Sequence, residues 1–236
     1  PFTTHDSNIN GFLNIIYAAK ENKVKNFVYA SSSSVYGDSE VLPKKESHQG
    51  QPLSPYAVTK SVNETYATAF FKAYGFNSIG LRYFNVFGLR QDPEGQYAAV
   101  IPKWINSILE QEDLYINGDG STTRDFCYVD NAVQANILAA ITDKEEALNR
   151  VYNIAADHQI TLLELYNTIK KNISTQIPTL ELKKPIYRDF RPGDIMHSRA
   201  DIKMAEELLG YEVTMSVSEG LEELVRMECS KVWVFL

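Results

Sequence analysis

Hydrophobic residues follow two alternating periods along the first part of the chain. Residues 7–22 place apolar side chains at the three- and four-residue spacing of a helix, and residues 25–30 form a short buried strand that runs into four serines. Residues 56–74 predict a second long helix that ends at Gly75, and residues 78–84 predict a second buried strand. Helices that alternate with buried strands are typical of a parallel sheet covered on both faces.

The pattern becomes less regular after Asn85. Helices are predicted over residues 98–109 and 130–142, a strand over 151–155, and a helix that starts at Thr161 with a capping box. The other predicted elements are a hairpin turn over 117–121, a loop over 187–194, and short helices over 200–209 and 218–227. We therefore expect an α/β core followed by a smaller α+β region, with the chain crossing between them more than once.

Composition and charge exclude several classes of protein. The chain has 236 residues, and its 23 basic and 30 acidic side chains give a net charge of −7. This balance disfavours binding to nucleic acid or to an anionic membrane surface, since both require a basic face. No apolar run approaches the roughly 18 residues of a membrane helix, and no basic and apolar leader opens the chain. We expect a cytoplasmic protein.

Metal and disulfide chemistry have little support in the sequence. The two cysteines, Cys127 and Cys229, lie far apart, which argues against a disulfide framework or a cysteine zinc site. The four histidines show no ligand spacing, and the turn at Asp119 lacks the further acidic residues of a calcium loop. We predict no metal site.

Tyr56 and Lys60 form a candidate catalytic pair. Residues four apart lie on one face of a helix, so the Lys60 ammonium would lie beside the Tyr56 phenol. An adjacent cation favours the phenolate and turns a weakly acidic side chain into a base. A Tyr and a Lys at this spacing also occur by chance in many helices.

A serine run precedes this helix. Residues 31–34 are all serine and stand at the carboxyl end of a predicted parallel strand, where open α/β sheets bind their ligands. A hydroxyl at that position can donate a hydrogen bond to a substrate oxygen. The alternative is a serine-rich turn that satisfies its own backbone.

Several motifs in order resemble the extended short-chain dehydrogenase/reductase family. They are Ser31-Ser-Ser-Ser-Val-Tyr-Gly37, Tyr56-Ala-Val-Thr-Lys60, Leu81-Arg-Tyr-Phe-Asn-Val-Phe-Gly88 and Gly118-Asp-Gly-Ser-Thr-Thr-Arg-Asp-Phe-Cys-Tyr-Val-Asp130. Within that family the chain is similar to the NAD-dependent nucleotide-sugar epimerases and dehydratases, above all to the UDP-N-acetylglucosamine 4-epimerase group. The resemblance implies a partial Rossmann fold, a doubly wound parallel sheet with its first strands missing, and a smaller α+β substrate-binding region.

The resemblance implies a role for individual residues of the first region. Ser32 and Tyr56 match the catalytic serine and base, and Lys60 matches the partner of the base. NAD is the implied cofactor, with Asn8, Tyr56, Lys60 and Tyr83 matching residues that bind it or lie near it.

A UDP-sugar is the implied substrate. The resemblance assigns its sugar, phosphates, ribose and uracil to Ser33, Asn85, Ala99, Val100, Trp104, Tyr115, Asn117, Arg124, Arg191, Asp194 and Ser198. Guanidinium groups suit phosphates, and an indole suits stacking on a flat base. Trp104 has the alternative of a core residue, and each arginine has the alternative of a surface ion pair.

The resemblance also distinguishes branches of the family. The 4,6-dehydratases carry an Asp-Glu pair where this chain has Ser33 and Ser34, so the sequence favours an epimerase that oxidises C4 transiently and returns the hydride to the other face. The small Ser198 leaves room for a 2-acetamido group, and this favours UDP-GlcNAc and UDP-GalNAc, or the corresponding uronic acid. Surface polysaccharide synthesis is the implied context.

The implied domains are interleaved along the chain. Residues 1–84, rejoined by about 126–155, would form the remaining part of the NAD-binding domain, and residues 85–125 and 156–236 would bind the UDP-sugar. A homodimer through a helical bundle that includes the Tyr56 helix is implied for the full-length protein.

The Gly-rich turn with which the family begins is not found in this sequence. We therefore expect a chain that lacks about 100 residues of the first βαβ units and shows no NAD-dependent turnover by itself. Two alternatives remain open: a catalytically inactive truncated remnant, and a related nucleotide-sugar decarboxylase or dehydratase.

Overall fold

The computed structural model describes residues 1–94, 99–190 and 196–232. The helices within these ranges are α1 Phe2–His5, α2 Gly11–Glu21, α3 Pro55–Tyr74, α4 Val100–Leu109, α5 Val129–Ile141, α6 Leu162–Gln176 and α7 Val217–Val232. The strands are β1 Phe27–Ser32, β2 Ser78–Tyr83, β3 Val86–Phe87, β4 Tyr115–Asn117, β5 Thr123–Asp125, β6 Cys127–Tyr128, β7 Arg150–Ile154, β8 Gln159–Thr161 and β9 Ile186–Arg188. A π-helical turn, Asp6–Asn10, joins α1 to α2.

A parallel sheet of three strands, in the order β1-β2-β7, lies at the centre of the first region. Its register pairs Ser32 of β1 with Tyr83 of β2, and Tyr83 in turn with Ile154 of β7. The three strands therefore end at the same edge of the sheet. The predicted parallel α/β fold is confirmed.

The two faces of β2 lie against different helices. Arg82 pairs with Glu64 of α3, whereas the next residue, Tyr83, donates a hydrogen bond to Asn136 of α5. Side chains that alternate across a strand reach opposite faces of the sheet, so α3 covers one face and α5 the other.

Local signals set the ends of α3. The Ser54 side chain accepts a hydrogen bond from the backbone amide of Ala57, and Pro55 occupies the first turn, where its missing N–H costs nothing. Gly75 ends the helix in the left-handed conformation at φ 65°. These contacts confirm the predicted helix and its predicted C-terminal cap.

The second region is built on a helical core. Side chains of α4, α6 and α7 bury one another there together with Phe87, Phe126 and Tyr128. The capping box that opens α6 is present, since Thr161 and Glu164 exchange hydrogen bonds as predicted. Three pairs of short strands, β3·β6, β4·β9 and β5·β8, connect this core to the sheet region.

Two predictions in the second region are wrong. Residues 117–121 do not form a hairpin turn, because β4 pairs in parallel with β9, and β5 pairs antiparallel with β8. Of the predicted loop over 187–194, residues 187 and 188 belong to strand β9, residues 189 and 190 lie in no helix or strand, and residues 191–194 lie outside the described residues. In both cases a partner distant in sequence determines the strand, and local turn residues do not reveal such a partner.

Residues of the predicted substrate-binding segment also pack against the sheet. Ala200, Ile202, Ala205 and Leu209 are buried in the same hydrophobic core as β2 and β7. The interleaved domain boundaries stay a prediction. No helix within the described ranges is long and apolar enough to cross a membrane.

Candidate active site

Tyr56 and Lys60 lie together at the start of α3. The Lys60 Nζ lies 5.7 Å from the centroid of the Tyr56 ring and donates a 2.9 Å hydrogen bond to the carbonyl oxygen of Ala30 in β1. Burial lowers the pKa of Lys60. The Tyr56 side chain is 41% exposed, so its phenol is accessible to a ligand.

The serine run forms the end of β1 and the turn that follows. Ser32 is the last residue of the strand and caps the 3₁₀ turn Ser33–Tyr36, with its Oγ accepting a 3.2 Å hydrogen bond from the amide of Ser34. This turn contacts α3. Because Lys60 bonds to the carbonyl two residues before Ser32, the structure brings the three predicted catalytic residues to one edge of the sheet.

Asn8 connects the π-helical turn to the same helix. Its Nδ2 donates a 3.0 Å hydrogen bond to Thr59 Oγ1, and the Thr59 hydroxyl donates to the carbonyl oxygen of Tyr56. The Asn8 side chain therefore holds the first turns of α3, and its predicted contact with a cofactor stays a prediction.

Tyr83 lies on the other side of the sheet. Its hydroxyl donates a 3.0 Å hydrogen bond to Asn136 Oδ1 of α5, and burial raises its pKa. The phenol of Tyr83 is thus engaged away from the face that carries Tyr56 and Lys60, although its backbone stands beside Ser32 in the register.

A buried ion pair fixes α3 on the sheet, and it was not predicted from the sequence. Arg82 is 1% exposed and makes two hydrogen bonds to the Glu64 carboxylate, at 2.9 and 2.8 Å. The same carboxylate accepts hydrogen bonds from Ser31 at 2.5 Å and from Gln49 at 2.7 Å. An arginine inside an apolar strand is a usable signal for such a pair, because a buried charge needs a partner.

This pair acts on the positions of the candidate catalytic groups. Glu64 lies one helical turn beyond Lys60 and two beyond Tyr56, on the same face of α3. The Glu64 carboxylate accepts a hydrogen bond from Ser31, and this bond holds the same face of α3 against β1 at the residue before Ser32. The rotation of α3 about its axis is therefore fixed relative to the end of β1.

A cleft of about 460 Å³ opens between the sheet edge and the helical core. Its walls come from α4, β4 and β5 and from the segment after β2. It is lined by seven of the residues predicted to bind substrate: Asn85, Ala99, Val100, Trp104, Tyr115, Asn117 and Arg124.

Trp104 forms a wall of this cleft from within the core. Its side chain is 6% exposed, its Nε1 donates a 3.2 Å hydrogen bond to the carbonyl of Tyr115, and its ring meets Tyr166 edge-to-face. The indole is therefore a core residue that also lines the cleft, and its stacking on a base stays a prediction.

Asn85 and Arg124 meet where the cleft approaches the sheet. Asn85, at φ 35°, donates through Nδ2 a 2.8 Å hydrogen bond to the carbonyl oxygen of Asp125. Arg124 Nη1 donates to the carbonyl of Thr123 at 2.9 Å and to that of Met196 at 3.4 Å. These contacts hold the guanidinium at the cleft surface.

Asp125 lies directly behind this surface. It is fully buried, and its two carboxylate oxygens accept backbone hydrogen bonds from Ala156 and Ala200, each at 3.0 Å. Burial raises the pKa of Asp125 to about 7.

Four polar residues of the cleft were not predicted from the sequence. They are Lys103, Ser107, Asp113 and Arg188. Arg188 reaches the cleft because β9 pairs with β4, a pairing that no local pattern indicates.

Four of the eleven predicted substrate-binding residues are not among the described lining of the cleft. Ser33 lies in the 3₁₀ turn that follows β1. Arg191 and Asp194 lie outside the described residues. Ser198 is buried, and its amide donates a 3.2 Å hydrogen bond to the carbonyl of Thr123; it does not line the cleft as described.

Comparison with known families and proteins gives consistent matches. The sequence profile of the NAD dependent epimerase/dehydratase family matches residues 1–155. A protein of Methanocaldococcus jannaschii is 35% identical over 226 residues, which are 95% of this chain and 70% of the relative. A UDP-glucuronate 4-epimerase of Thermodesulfobacterium geofontis is 31% identical over 225 residues, with 95% of this chain and 66% of the relative covered.

Solved structures match over the same length. The UDP-N-acetylglucosamine 4-epimerase of Methanobrevibacter ruminantium M1, in complex with UDP-N-acetylmuramic acid, is 39% identical with a TM-score of 0.86 over 96% of this chain and 70% of its own. The UDP-glucuronic acid 4-epimerase of Bacillus cereus, in complex with UDP-glucuronic acid and NAD, is 32% identical with a TM-score of 0.83 over 97% and 68%.

Proposed function

We propose that this chain, which belongs to the NAD dependent epimerase/dehydratase family, acts in the NAD-dependent epimerisation at C4 of a UDP-N-acetylhexosamine. One observation carries the proposal. The cleft begins at Asn85, directly beyond the end of β2, and the neighbouring strand β1 ends at Ser32. A ligand in the cleft can therefore present its sugar to the edge that holds Ser32, Tyr56 and Lys60.

The donors at this edge fit one end of NAD. The Tyr56 hydroxyl and the Lys60 ammonium are hydrogen-bonding groups suited to the ribose next to the nicotinamide, and Tyr56 is open to a ligand. The chemistry that bound NAD would supply at this edge is reversible hydride transfer at C4 of the sugar. We propose that these two side chains hold the cofactor.

The remaining chemistry is transfer of a proton. We propose that Tyr56 accepts the proton of the sugar 4-hydroxyl, because the Lys60 ammonium beside its ring stabilises the phenolate. Ser32 donates a hydrogen bond to the same sugar oxygen. The Arg82–Glu64 pair holds α3 in register with β1 and so keeps these groups in place.

The cleft retains the nucleotide during the reaction. Arg124 supplies charge to the diphosphate, Asn85 a polar contact, and the apolar wall at Val100 and Trp104 a surface for the base. Firm anchoring of UDP keeps the reactive 4-keto sugar bound while it turns to present its other face.

An N-acetylhexosamine is the proposed sugar, and surface polysaccharide synthesis the proposed context. The similarity to a UDP-N-acetylglucosamine 4-epimerase supports this choice. UDP-glucuronic acid is the second candidate, because relatives named for that substrate match the chain over nearly the same length.

The test uses the natural polypeptide isolated from its source. Its intact mass and N-terminal peptide are determined first, and NAD-supported conversion of UDP-GlcNAc, UDP-glucose and UDP-glucuronic acid is then followed by chromatography. We expect UDP-GalNAc from UDP-GlcNAc. A decarboxylated product would instead support a decarboxylase, and UDP binding without any turnover would support an inactive remnant.

We further propose that the protein forms a homodimer through α2 and α3. Apolar side chains on these helices are exposed, among them Ile15, Tyr17, Val58 and Tyr74. Light scattering after size-exclusion chromatography measures the mass, and a monomer at micromolar concentration would contradict the proposal.

A further inference from the structure

Arg188 is held over an aromatic ring at the cleft. Strands β4 and β9 run parallel, with Asn117 opposite Arg188 in the register. The central carbon of the guanidinium lies 3.2 Å from the centroid of the Tyr115 ring. The Tyr115 hydroxyl donates a 3.3 Å hydrogen bond to Asp113, which anchors the ring beneath the cation. The orientation of the guanidinium is thus fixed by stacking.

The guanidinium donors of Arg188 have no acceptor among the described residues. Within the described ranges, no carboxylate forms an ion pair with Arg188 and no acceptor takes a hydrogen bond from its guanidinium. Arg199, another exposed arginine, differs from Arg188 because its Nε forms a 2.9 Å ion pair with Asp157. A planar cation that is oriented but unpaired leaves its N–H groups available to a ligand.

The charge around Arg188 points to an anion. The chain carries a net charge of −7, yet the described lining of the cleft includes three cations, Lys103, Arg124 and Arg188, and a single carboxylate, Asp113. That carboxylate already accepts the Tyr115 hydroxyl. A local excess of positive charge in an acidic protein favours an anionic ligand in the cleft.

We propose that Arg188 binds phosphate oxygens of the nucleotide diphosphate, as a further arginine of the binding site. This inference rests on the proposed function, because it requires a UDP moiety in the cleft. It assigns to β9 a direct role in affinity, with the guanidinium held by Tyr115 and its donors directed at the phosphates.

The experiment is calorimetric titration of the 236-residue chain with UDP and with uridine, at low and at high salt. The variants are Arg188→Ala and Arg188→Lys, and the control is Lys184→Ala, which removes the same charge from an exposed position of the same segment outside the cleft. Thermal unfolding of each variant verifies that it is folded.

We expect Arg188→Ala to weaken UDP binding roughly tenfold at low salt and by less at high salt, because one charge-assisted contact is lost and salt screens it. Arg188→Lys keeps the charge without the planar fork, so its loss is smaller. The uridine affinity of the Arg188 variants and the UDP affinity of the Lys184→Ala control should each change by less than about twofold.

Each of the other outcomes contradicts either this inference or the proposed function. If wild type binds UDP and Arg188→Ala binds it equally well, this inference is wrong while the proposed function stands. Equal losses for uridine and UDP would place Arg188 at the base and also overturn it. If the folded wild-type chain binds no UDP, the proposed function fails first.

Discussion

The contact between α3 and the sheet and the wall of the cleft each contain a buried carboxylate, Glu64 in the first and Asp125 in the second. The two carboxylates are held in different ways. Beneath α3, Glu64 is paired with Arg82 and accepts two further side-chain hydrogen bonds. Behind the cleft, Asp125 accepts hydrogen bonds from backbone amides, among them those of Ala156 and Ala200, and burial raises its pKa to about 7. In one region an arginine compensates the buried charge; in the other the carboxylate is held by main-chain amides.

This difference separates what each region contributes. The ion pair between Glu64 and Arg82 fixes the face of α3 that carries Tyr56 and Lys60. The Asp125 carboxylate holds the main chain at Ala156 and Ala200, behind the cleft surface. The proposed catalytic groups are positioned by a buried ion pair, and the proposed binding surface is supported by backbone contacts.

Substitutions at Tyr56 and Arg124 give the largest expected effect and separate the two regions. In natural polypeptide that turns over UDP-GlcNAc, we expect Tyr56→Phe to lower kcat by about 100-fold or more, because a positioned base contributes that much, while UDP affinity is nearly unchanged. Arg124→Ala is expected to weaken UDP binding roughly tenfold. Wild-type turnover in the Tyr56→Phe variant would refute the catalytic assignment.

Breaking the buried ion pair between Arg82 and Glu64 has the next largest expected effect, on the free energy of unfolding. We expect Arg82→Met to lower the free energy of unfolding by about 3–5 kcal/mol, since it leaves the buried Glu64 carboxylate without its cation. The double variant with Glu64→Leu should recover much of this loss. Urea denaturation measures both values.

The control for this measurement is an exposed ion pair. Arg199 and Asp157 are 44% and 41% exposed at their side chains, so Arg199→Met should cost no more than about 1 kcal/mol. A similar cost for Arg82→Met and Arg199→Met would show that burial does not distinguish the two pairs.

The pH dependence of stability tests the carboxyl behind the cleft. Because the folded state raises the pKa of Asp125 from 3.8 to about 7, its protonated form stabilises the fold at low pH and this contribution is lost as pH rises toward 7. Wild type should therefore lose stability relative to Asp125→Asn between about pH 4 and pH 7. Urea denaturation across this range gives the difference, and parallel curves for the two proteins would show that Asp125 does not titrate in this way.

The smallest expected effect lies at the start of α6, in the helical core. Thr161→Ala removes one half of the capping box and should lower the free energy of unfolding by about 1 kcal/mol. Ser174→Ala, on the same helix, removes only a hydrogen bond to the carbonyl of Lys170 and serves as the control. Equal, negligible losses for both would mean that the cap does not stabilise the fold.

Local sequence signals predicted the helices and the parallel strands well. The periodicity of residues 56–74, the cap at Gly75 and the capping box at Thr161 are each confirmed within one or two residues. Such signals depend on neighbours three or four positions away, and these neighbours are fixed by the covalent chain.

The candidate site was predictable where motifs carry it. The serine run and the Tyr56–Lys60 pair meet at the end of β1, and seven of the predicted ligand residues line one cleft. The sequence did not predict that the Tyr83 side chain lies against α5, because alternation along a strand does not show which helix covers which face of the sheet.

By itself the sequence determined the α/β class, the main helices and which residue types could bind a nucleotide sugar. Only the tertiary structure decided that β4 pairs with β9, that Glu64 meets Arg82, and that Arg188 lies over Tyr115. Helical periodicity and caps are local and can be read along the chain. Strand partners, buried ion pairs and stacked cations join residues far apart in sequence, and their energies arise only when folding excludes water from between them.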